Sequence, residues 1–290
     1  MRIEIVAKTD IGKEREQNED AFIICPDLTH PNWELDKAQV DLGPFGTLLA
    51  VADGMGGANA GEVASGLAME TLRQCFSTSR IVSVVNSEQH VQNYLQLAIK
   101  SADTFIKEHI IKHPETAGMG TTIVVCWILN NKAYIVWCGD SRCYMFNPKK
   151  GLMALTKDHS YVQELIDKGE LTEEESFSHP DSNIITRGLG DFDTDVLADI
   201  VTYSIQPNDV FLLCSDGLSG YCRNSLIEKT IKTNYQDINK CCDKLMDLAL
   251  DAGGYDNICI ALASVCNEDK TLAHSSSSIK DFFKKLFFKK

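Results

Sequence analysis

Apolar positions along the chain fall into short runs broken by turns, and their spacing separates strands from helices. RIEIVAK (2–8) alternates apolar and polar residues, the period of a half-buried strand. TLLAVAD (47–53) is a compact apolar run that ends in Asp53. TTIVVCWILNNKAYIVWCGD (121–140) reads as a hairpin: two β-branched and aromatic runs meet at Asn130-Asn131, residues that tolerate the positive φ of a tight turn. RCYMFN (142–147), DVFLLCSD (209–216) and NICIALASV (257–265) complete the predicted strands. Helical spacing predicts helices over 61–77, 89–112, 161–168, 223–231 and 237–252, with Val63, Leu67 and Leu72 near one face of the first.

Neighbouring strands are joined mostly by turns, and the helices come in groups. Strict strand–helix alternation, the mark of a doubly wound parallel sheet, is missing. The pattern predicts an α+β protein in which antiparallel sheet is packed by helices. Between Thr156 and Ile185 lies a polar excursion with two capping-box patterns, Ser160-x-x-Gln163 and Thr172-x-x-Glu175, so short helices are expected there. HSSSS (274–278) has the composition of a flexible linker.

Composition changes this picture little. The chain has 290 residues, 44% hydrophobic and 24% charged, as globular proteins do. A net charge of −13 argues against nucleic acid as the main partner. The charge is uneven: residues 279–290 carry five lysines against one aspartate, a net +4, which leaves −17 for the rest. Most of the eleven cysteines sit in apolar runs, and no C-x-x-C pair suggests zinc or redox chemistry. MRIEIVAKTD lacks the apolar core of a signal peptide, and no apolar run reaches the roughly 20 residues of a membrane span. The expectation is a reduced, cytoplasmic protein.

Candidate chemistry lies where apolar runs end. Aspartate follows such a run at Asp53, Asp140 and Asp216, and Asp256 stands just before another. One Asp-Gly after a strand is ordinary turn chemistry. Several carboxylates at the strand ends of one sheet can instead converge on one rim, where oxygen-only ligands suit Mg²⁺ or Mn²⁺ rather than zinc. A further acidic cluster, TDIGKEREQNEDAF (9–22), carries Arg15, Glu19 and Asp20. The Arg15 fork matches a phosphate bidentately, or forms a helix-face ion pair.

Other readings fail on spacing. Gly54-x-Gly56 is followed at the third position by Asn59, so the dinucleotide fingerprint is not met, and no Walker motif exists. Asp191–Asp195 resembles the start of an EF-hand loop, but Val196 and Thr202 stand where glycine and glutamate are required. His109 and His113 lie one helical turn apart without a metalloprotease glutamate. No G-x-S-x-G or low-pKa cysteine motif supplies a nucleophile.

Eight motifs then occur in a telling order: REQNED (15–20), VADGMGG (51–57), GTT (120–122), CGDSR (138–142), TKDHS (156–160), ITRGLG (185–190), CSDGL (214–218) and GGYDN (253–257). Together they resemble the metal-dependent Ser/Thr protein phosphatases of the type 2C (PPM) family, its bacterial branch above all, from about Thr9 to Ala263. The resemblance implies a four-layer α/β/β/α sandwich of two antiparallel β-sheets flanked by helices, with a two-metal centre at one end. Asp53 would bridge both ions, with the Gly54 carbonyl on one of them. Asp216 and Asp256 would hold the first ion and Glu19 the second, directly or through water. Asp20 would orient metal-bound waters, Arg15 would clamp the substrate phosphate, and Asn257 would support the rim. The implied reaction is hydrolysis of phosphoserine or phosphothreonine in proteins, by in-line attack of a hydroxide bridging two Mg²⁺ or Mn²⁺ ions about 3.5–4 Å apart.

Some positions depart from the family. Met55 stands where eukaryotic members carry a candidate general-acid histidine, so the leaving-group proton must come from elsewhere, such as a metal-bound water. Gly220 replaces an aspartate that holds a weak third ion in some members, leaving Asp140 and Asp216 for such a site. The excursion at 156–185 corresponds to the family's mobile flap, where His159 is a candidate acid–base group or a structural one.

The resulting layout is a catalytic domain over 1–266, a linker over 267–278 and a basic amphipathic tail over 279–290. Ile279, Phe282, Phe283, Leu286 and Phe287 share an arc of that tail, which suits an anionic membrane surface, a partner groove or the acidic body itself. Expected partners are phosphorylated proteins, the substrates of a cognate Ser/Thr kinase, met by a monomer. The alternative is a catalytically silent relative that binds phosphoproteins or scaffolds a complex. Retention of Asp53, Asp216 and Asp256 favours activity.

Overall fold

The computed structural model describes residues 1–56, 60–190, 192 and 195–266. The first part of the chain forms β1 (Arg2–Asp10), β2 (Asp20–Cys25), β3 (Lys37–Asp41), β4 (Thr47–Met55), α1 (Ala60–Cys75), α2 (Thr78–Ile81) and α3 (Glu88–Lys112). The middle forms β5 (Gly120–Thr121), β6 (Ile123–Leu129), β7 (Lys132–Cys138), β8 (Arg142–Asn147), β9 (Gly151–Ala154), α4 (Tyr161–Asp167) and α5 (Glu173–Ser176). The last part forms β10 (Leu189–Gly190), β11 (Asp199–Ser204), β12 (Val210–Cys214), α6 (Asp216–Ser219), α7 (Asn224–Asn234), α8 (Ile238–Asp251) and β13 (Ile258–Cys266).

One sheet has the order β3-β1-β13-β12-β8-β9, and the other runs β10-β5-β4-β6-β7-β11 with β2 also on β4. The pairings are antiparallel, as in β1 with β13 and β6 with β7. The period of two sorts the side chains into layers. Along β6, Ile123, Val125, Trp127 and Leu129 face α1 and α3, while Val124, Cys126 and Ile128 face the other sheet. Along β12, Phe211 and Leu213 point between the sheets, and Val210, Leu212 and Cys214 point towards α7 and α8. Both faces of both sheets are thus covered, which gives the α/β/β/α sandwich.

The hairpin between β6 and β7 turns on Asn130-Asn131, with Leu129 paired to Lys132 and Asn130 at φ +55°. The polar excursion leaves the sheet at Ser160 and returns at Ile185, where the two residues form a β-bridge. Ser160 caps α4 by accepting the Gln163 N–H, and Thr172 and Glu175 close a reciprocal capping box on α5.

Some elements differ from the sequence expectation. β2, β3, β9 and β11 were absent from it. β3 alternates exposed and half-buried residues, and β11 is largely half-buried, so neither carries an apolar run. The buried stripe of α1 is Ala60, Ala64, Ala68 and Leu72, with Val63 and Leu67 only flanking it. Small residues there bring the helix close to the sheet. The linker and tail (267–290), Gly57, and Asp191 and Asp193 of the EF-hand-like stretch lie outside the described residues.

Candidate metal centre

Carboxylates from four places in the chain meet at one end of the sandwich. Asp20 opens β2 and lies directly across from Asp53 of β4, its Cα partner in the antiparallel register. Asp140 lies in the turn between β7 and β8, and Asp216 begins α6 just beyond β12. Asp20 and Asp140 are buried. Three of the four, Asp20, Asp140 and Asp216, each keep a buried Oδ1 without a hydrogen-bond partner.

Crowding like charges out of water raises carboxyl pKa values. Burial, then Asp216 and Asp256, push Asp20 up to about 8. Burial and the charge of Asp256 raise Asp216 to about 6. Asp53 is held well above the carboxylate range by burial, followed by Asp20, Asp216 and Asp140. Asp140 rises for the same first reason, with the charge of Asp216 the next cause. Such a cluster favours either protons or cations. The donors are all oxygen, the chemistry that hard divalent ions accept. Among the described residues no three acidic, histidine or cysteine side chains stand in a ready-made ligating geometry. The carboxylates fit the ions by chemistry and, at Asp20, Asp140 and Asp216, by orphaned oxygens.

The surrounding chain fixes where these groups sit. The Asp53 N–H donates to Thr122 Oγ1 at 3.0 Å, and its carbonyl accepts from Thr121 Oγ1 at 2.8 Å and the Thr122 N–H at 2.9 Å. Ser215 Oγ donates to Asp20 Oδ2 at 2.7 Å while accepting the Cys259 N–H at 2.9 Å, tying the first sheet to the second. The Glu19 carboxylate, its pKa raised mainly by burial, accepts the Gly61 N–H in the first turn of α1. A Cβ on Gly61 would lie 2.6 Å from Glu19 Oε1, so this approach requires glycine. A Cβ on Gly54 would lie 2.2 Å from the Gly61 carbonyl oxygen and 2.7 Å from that of Glu19.

Asp256 and Asn257 bring in the far end of the chain. Arg15 donates to Asp256 Oδ2 at 2.7 Å, with both side chains partly exposed. Buried Asn257 accepts the Glu19 N–H at 2.8 Å and donates to the carbonyls of Ile11 and Gln17 at 2.9 and 2.8 Å. It staples the whole 11–19 loop to the start of β13.

A cavity of about 120 Å³ separates this centre from the excursion at 156–185; Asp140, Asp216 and Gly220 line one side, and Ser176 and Phe177 the other. Arg142 and Asp158, paired through two nitrogens at 2.7–3.1 Å, line it as well. His159 is turned away: Nδ1 accepts the Gly139 N–H at 3.1 Å and Nε2 stands 3.2 Å from Asp199. The structure thus gathers Glu19, Asp20, Asp53, Gly54, Asp140, Asp216, Asp256 and Arg15 at one rim. Sequence reasoning quoted the motifs holding Thr121, Thr122, Ser215, Arg142 and Asp158 but gave these residues no part. Hydroxyls next to strand-end aspartates were the available signal.

Known proteins resemble this chain along most of its length. The profile described as Protein phosphatase 2C matches residues 7–258. Protein phosphatase PhpP of Streptococcus pneumoniae is 33% identical over 268 residues, covering 92% of this chain and 99% of that protein. The crystal structure of serine/threonine phosphatase Stp1 from Staphylococcus aureus superposes with a TM-score of 0.78 at 32% identity, over 91% of this chain and 95% of that one. The catalytic domain of serine threonine protein phosphatase PstP, solved with 2 manganese ions, gives a TM-score of 0.72 at 28% identity, over 92% of this chain and all of that one. The chain therefore belongs to the protein phosphatase 2C family, in its bacterial branch.

Proposed function

We propose that the chain hydrolyses phosphoserine and phosphothreonine in proteins with the help of two Mg²⁺ or Mn²⁺ ions. As a family member it is a protein serine/threonine phosphatase; the metal use and residue roles are our reading. The observation that carries it is the convergence of Asp20, Asp53, Asp140 and Asp216, three of them with orphaned buried oxygens. Asp53 sits centrally and would bridge the two ions beside the Gly54 carbonyl. Asp216 and Asp256 would complete one ion's ligands and Glu19 the other's, while Asp140 with Asp216 would hold a weak third. Bound there, the ions would lower the pKa of water and neutralise charge on the phosphoryl group.

The protein's own groups do the rest. Arg15 is half-exposed and anchored by Asp256, which leaves other guanidinium donors facing solvent for a phosphate. Asp20, gripped by Ser215 on one oxygen, presents the other to the centre and would orient waters there. The manganese-bound PstP structure supports the choice of ion class.

Phosphorylated proteins made by a cognate kinase are the expected substrates, met by a monomer in the cytoplasm. Ten buried cysteines, such as Cys214 and Cys259 with thiols raised by burial, suit a reducing compartment. The catalytic unit is read as 1–266. The test is hydrolysis of a phosphothreonine peptide with Mn²⁺, with EDTA, and by Asp53→Asn. Equal turnover with EDTA would sink the metal mechanism.

A further inference from the structure

Gly139 and His159 make two hydrogen bonds to each other. The His159 N–H donates to the Gly139 carbonyl at 3.0 Å, and the Gly139 N–H donates to His159 Nδ1 at 3.1 Å. Accepting at Nδ1 leaves the neutral ring its proton on Nε2, which points at Asp199 Oδ2 at 3.2 Å. The ring also stacks on Trp137, 13° from parallel with centroids 6.1 Å apart. The His159 carbonyl accepts the Thr186 N–H at 2.8 Å. One buried residue therefore touches both roots of the 156–185 flap and the turn that carries Asp140.

That turn has little freedom of its own. Gly139 is at φ +115°, and a Cβ there would lie 2.6 Å from the Thr122 Cβ. Ser141 is locked to Thr122 through their hydroxyls at 2.7 Å. Asp140 Oδ1 has no hydrogen-bond partner, so the backbone of the turn does much of the aiming. With Nδ1 on the Gly139 N–H and Nε2 facing Asp199 and Arg187, neither ring nitrogen is free for a substrate in this arrangement.

We propose that His159 is a positioning residue: it pins the Asp140-bearing turn to both ends of the flap, so that flap and Asp140 keep one relative placement. The inference rests on the reading of Asp140 as part of the centre, and on the flap as the wall facing a bound phosphopeptide.

Three variants of the full chain test it. Asn places an oxygen near Nδ1 and retains the Gly139 acceptor; Gln reaches towards Nε2 and Asp199 instead. His159→Ala should speed hydrogen exchange of the Gly139 amide about tenfold, the worth of one ordinary hydrogen bond. It should also raise KM for a phosphothreonine peptide more than for p-nitrophenyl phosphate. His159→Asn should restore both readouts and keep the wild-type pH profile, and His159→Gln should restore neither. Unchanged Gly139 exchange in His159→Ala, rescue by Gln rather than Asn, equal losses on both substrates, or a pH limb lost in His159→Asn would each overturn the proposal. If the alanine variant does not fold, the Asn and Gln pair decides alone. An inactive wild type would defeat the phosphatase reading, whereas the exchange measurement would still judge His159.

Discussion

Asp20 and Asp53 face each other across β2 and β4 as direct Cα partners, a buried acid and a half-buried one in adjacent strands. Like charges opposite one another destabilise a sheet. That pairing makes the centre a source of pH-dependent strain, which a cation bound there would relieve.

The sign follows from the raised values. Asp20 moves from 3.8 to about 8 and Asp216 from 3.8 to about 6, so over that window the folded chain binds more protons than the unfolded one. Stability of the metal-free protein must then fall as pH rises from about 4 to about 8. Melting in EDTA across this range should show the decline, Mn²⁺ should reverse it most at the alkaline end, and Asp20→Asn should flatten it. A rising or level EDTA profile in the wild type would contradict this account.

Asp53→Asn should part stability from activity. Asparagine removes the cost of holding an acid of raised pKa beside Asp20, Asp140 and Asp216, so the variant should melt higher than wild type in EDTA at neutral and alkaline pH. Turnover should fall by more than the roughly 10–100-fold seen for outer-shell partners of metal sites. Calorimetry and peptide hydrolysis on the same preparation check both halves; a destabilised variant would refute the first.

Asn257→Ala should damage the site without touching a carboxylate. Its loss strands the Glu19 N–H and the carbonyls of Ile11 and Gln17, which should cost about 1–3 kcal/mol in urea unfolding. Loosening of the 11–19 loop should also weaken Mn²⁺ binding measured by titration calorimetry. An unchanged midpoint would show that the staple is dispensable.

Gly61→Ala tests the placement of Glu19. The added methyl would meet Glu19 Oε1 at 2.6 Å and Gly54 C at 2.8 Å, displacing the carboxylate from the helix N-terminus. Mn²⁺ affinity should fall roughly 10–100-fold, as for other ligand-orienting contacts. Helix content by circular dichroism should stay level, since alanine is the better helix former.

The layered fold was legible because β4, β6, β12 and β13 are buried on both faces and read as apolar runs. β11 and β3 were not legible. Their half-exposed residues earn strand geometry only from a neighbour, β7 in one case and β1 in the other. The acids were legible at strand ends. Their partners were not: Ser215 reaches Asp20 across 195 residues, and no local pattern announces such a bond. His159 shows the same limit, since its tie to Gly139 and Asp199 depends on three segments meeting.

β13 pairs with β1 over nine residues and with β12 on its other side, and Asp256 and Asn257 stand just before it. β1 can meet β3 early in synthesis, but its other neighbour, β13, is made only after almost all of the described residues. Pairings this distant in sequence form slowly. The 11–19 loop, with Arg15 and Glu19, meets its Asn257 staple only then. A nascent chain therefore holds an unfinished centre, and phosphate chemistry would switch on only with the last strand of the sandwich.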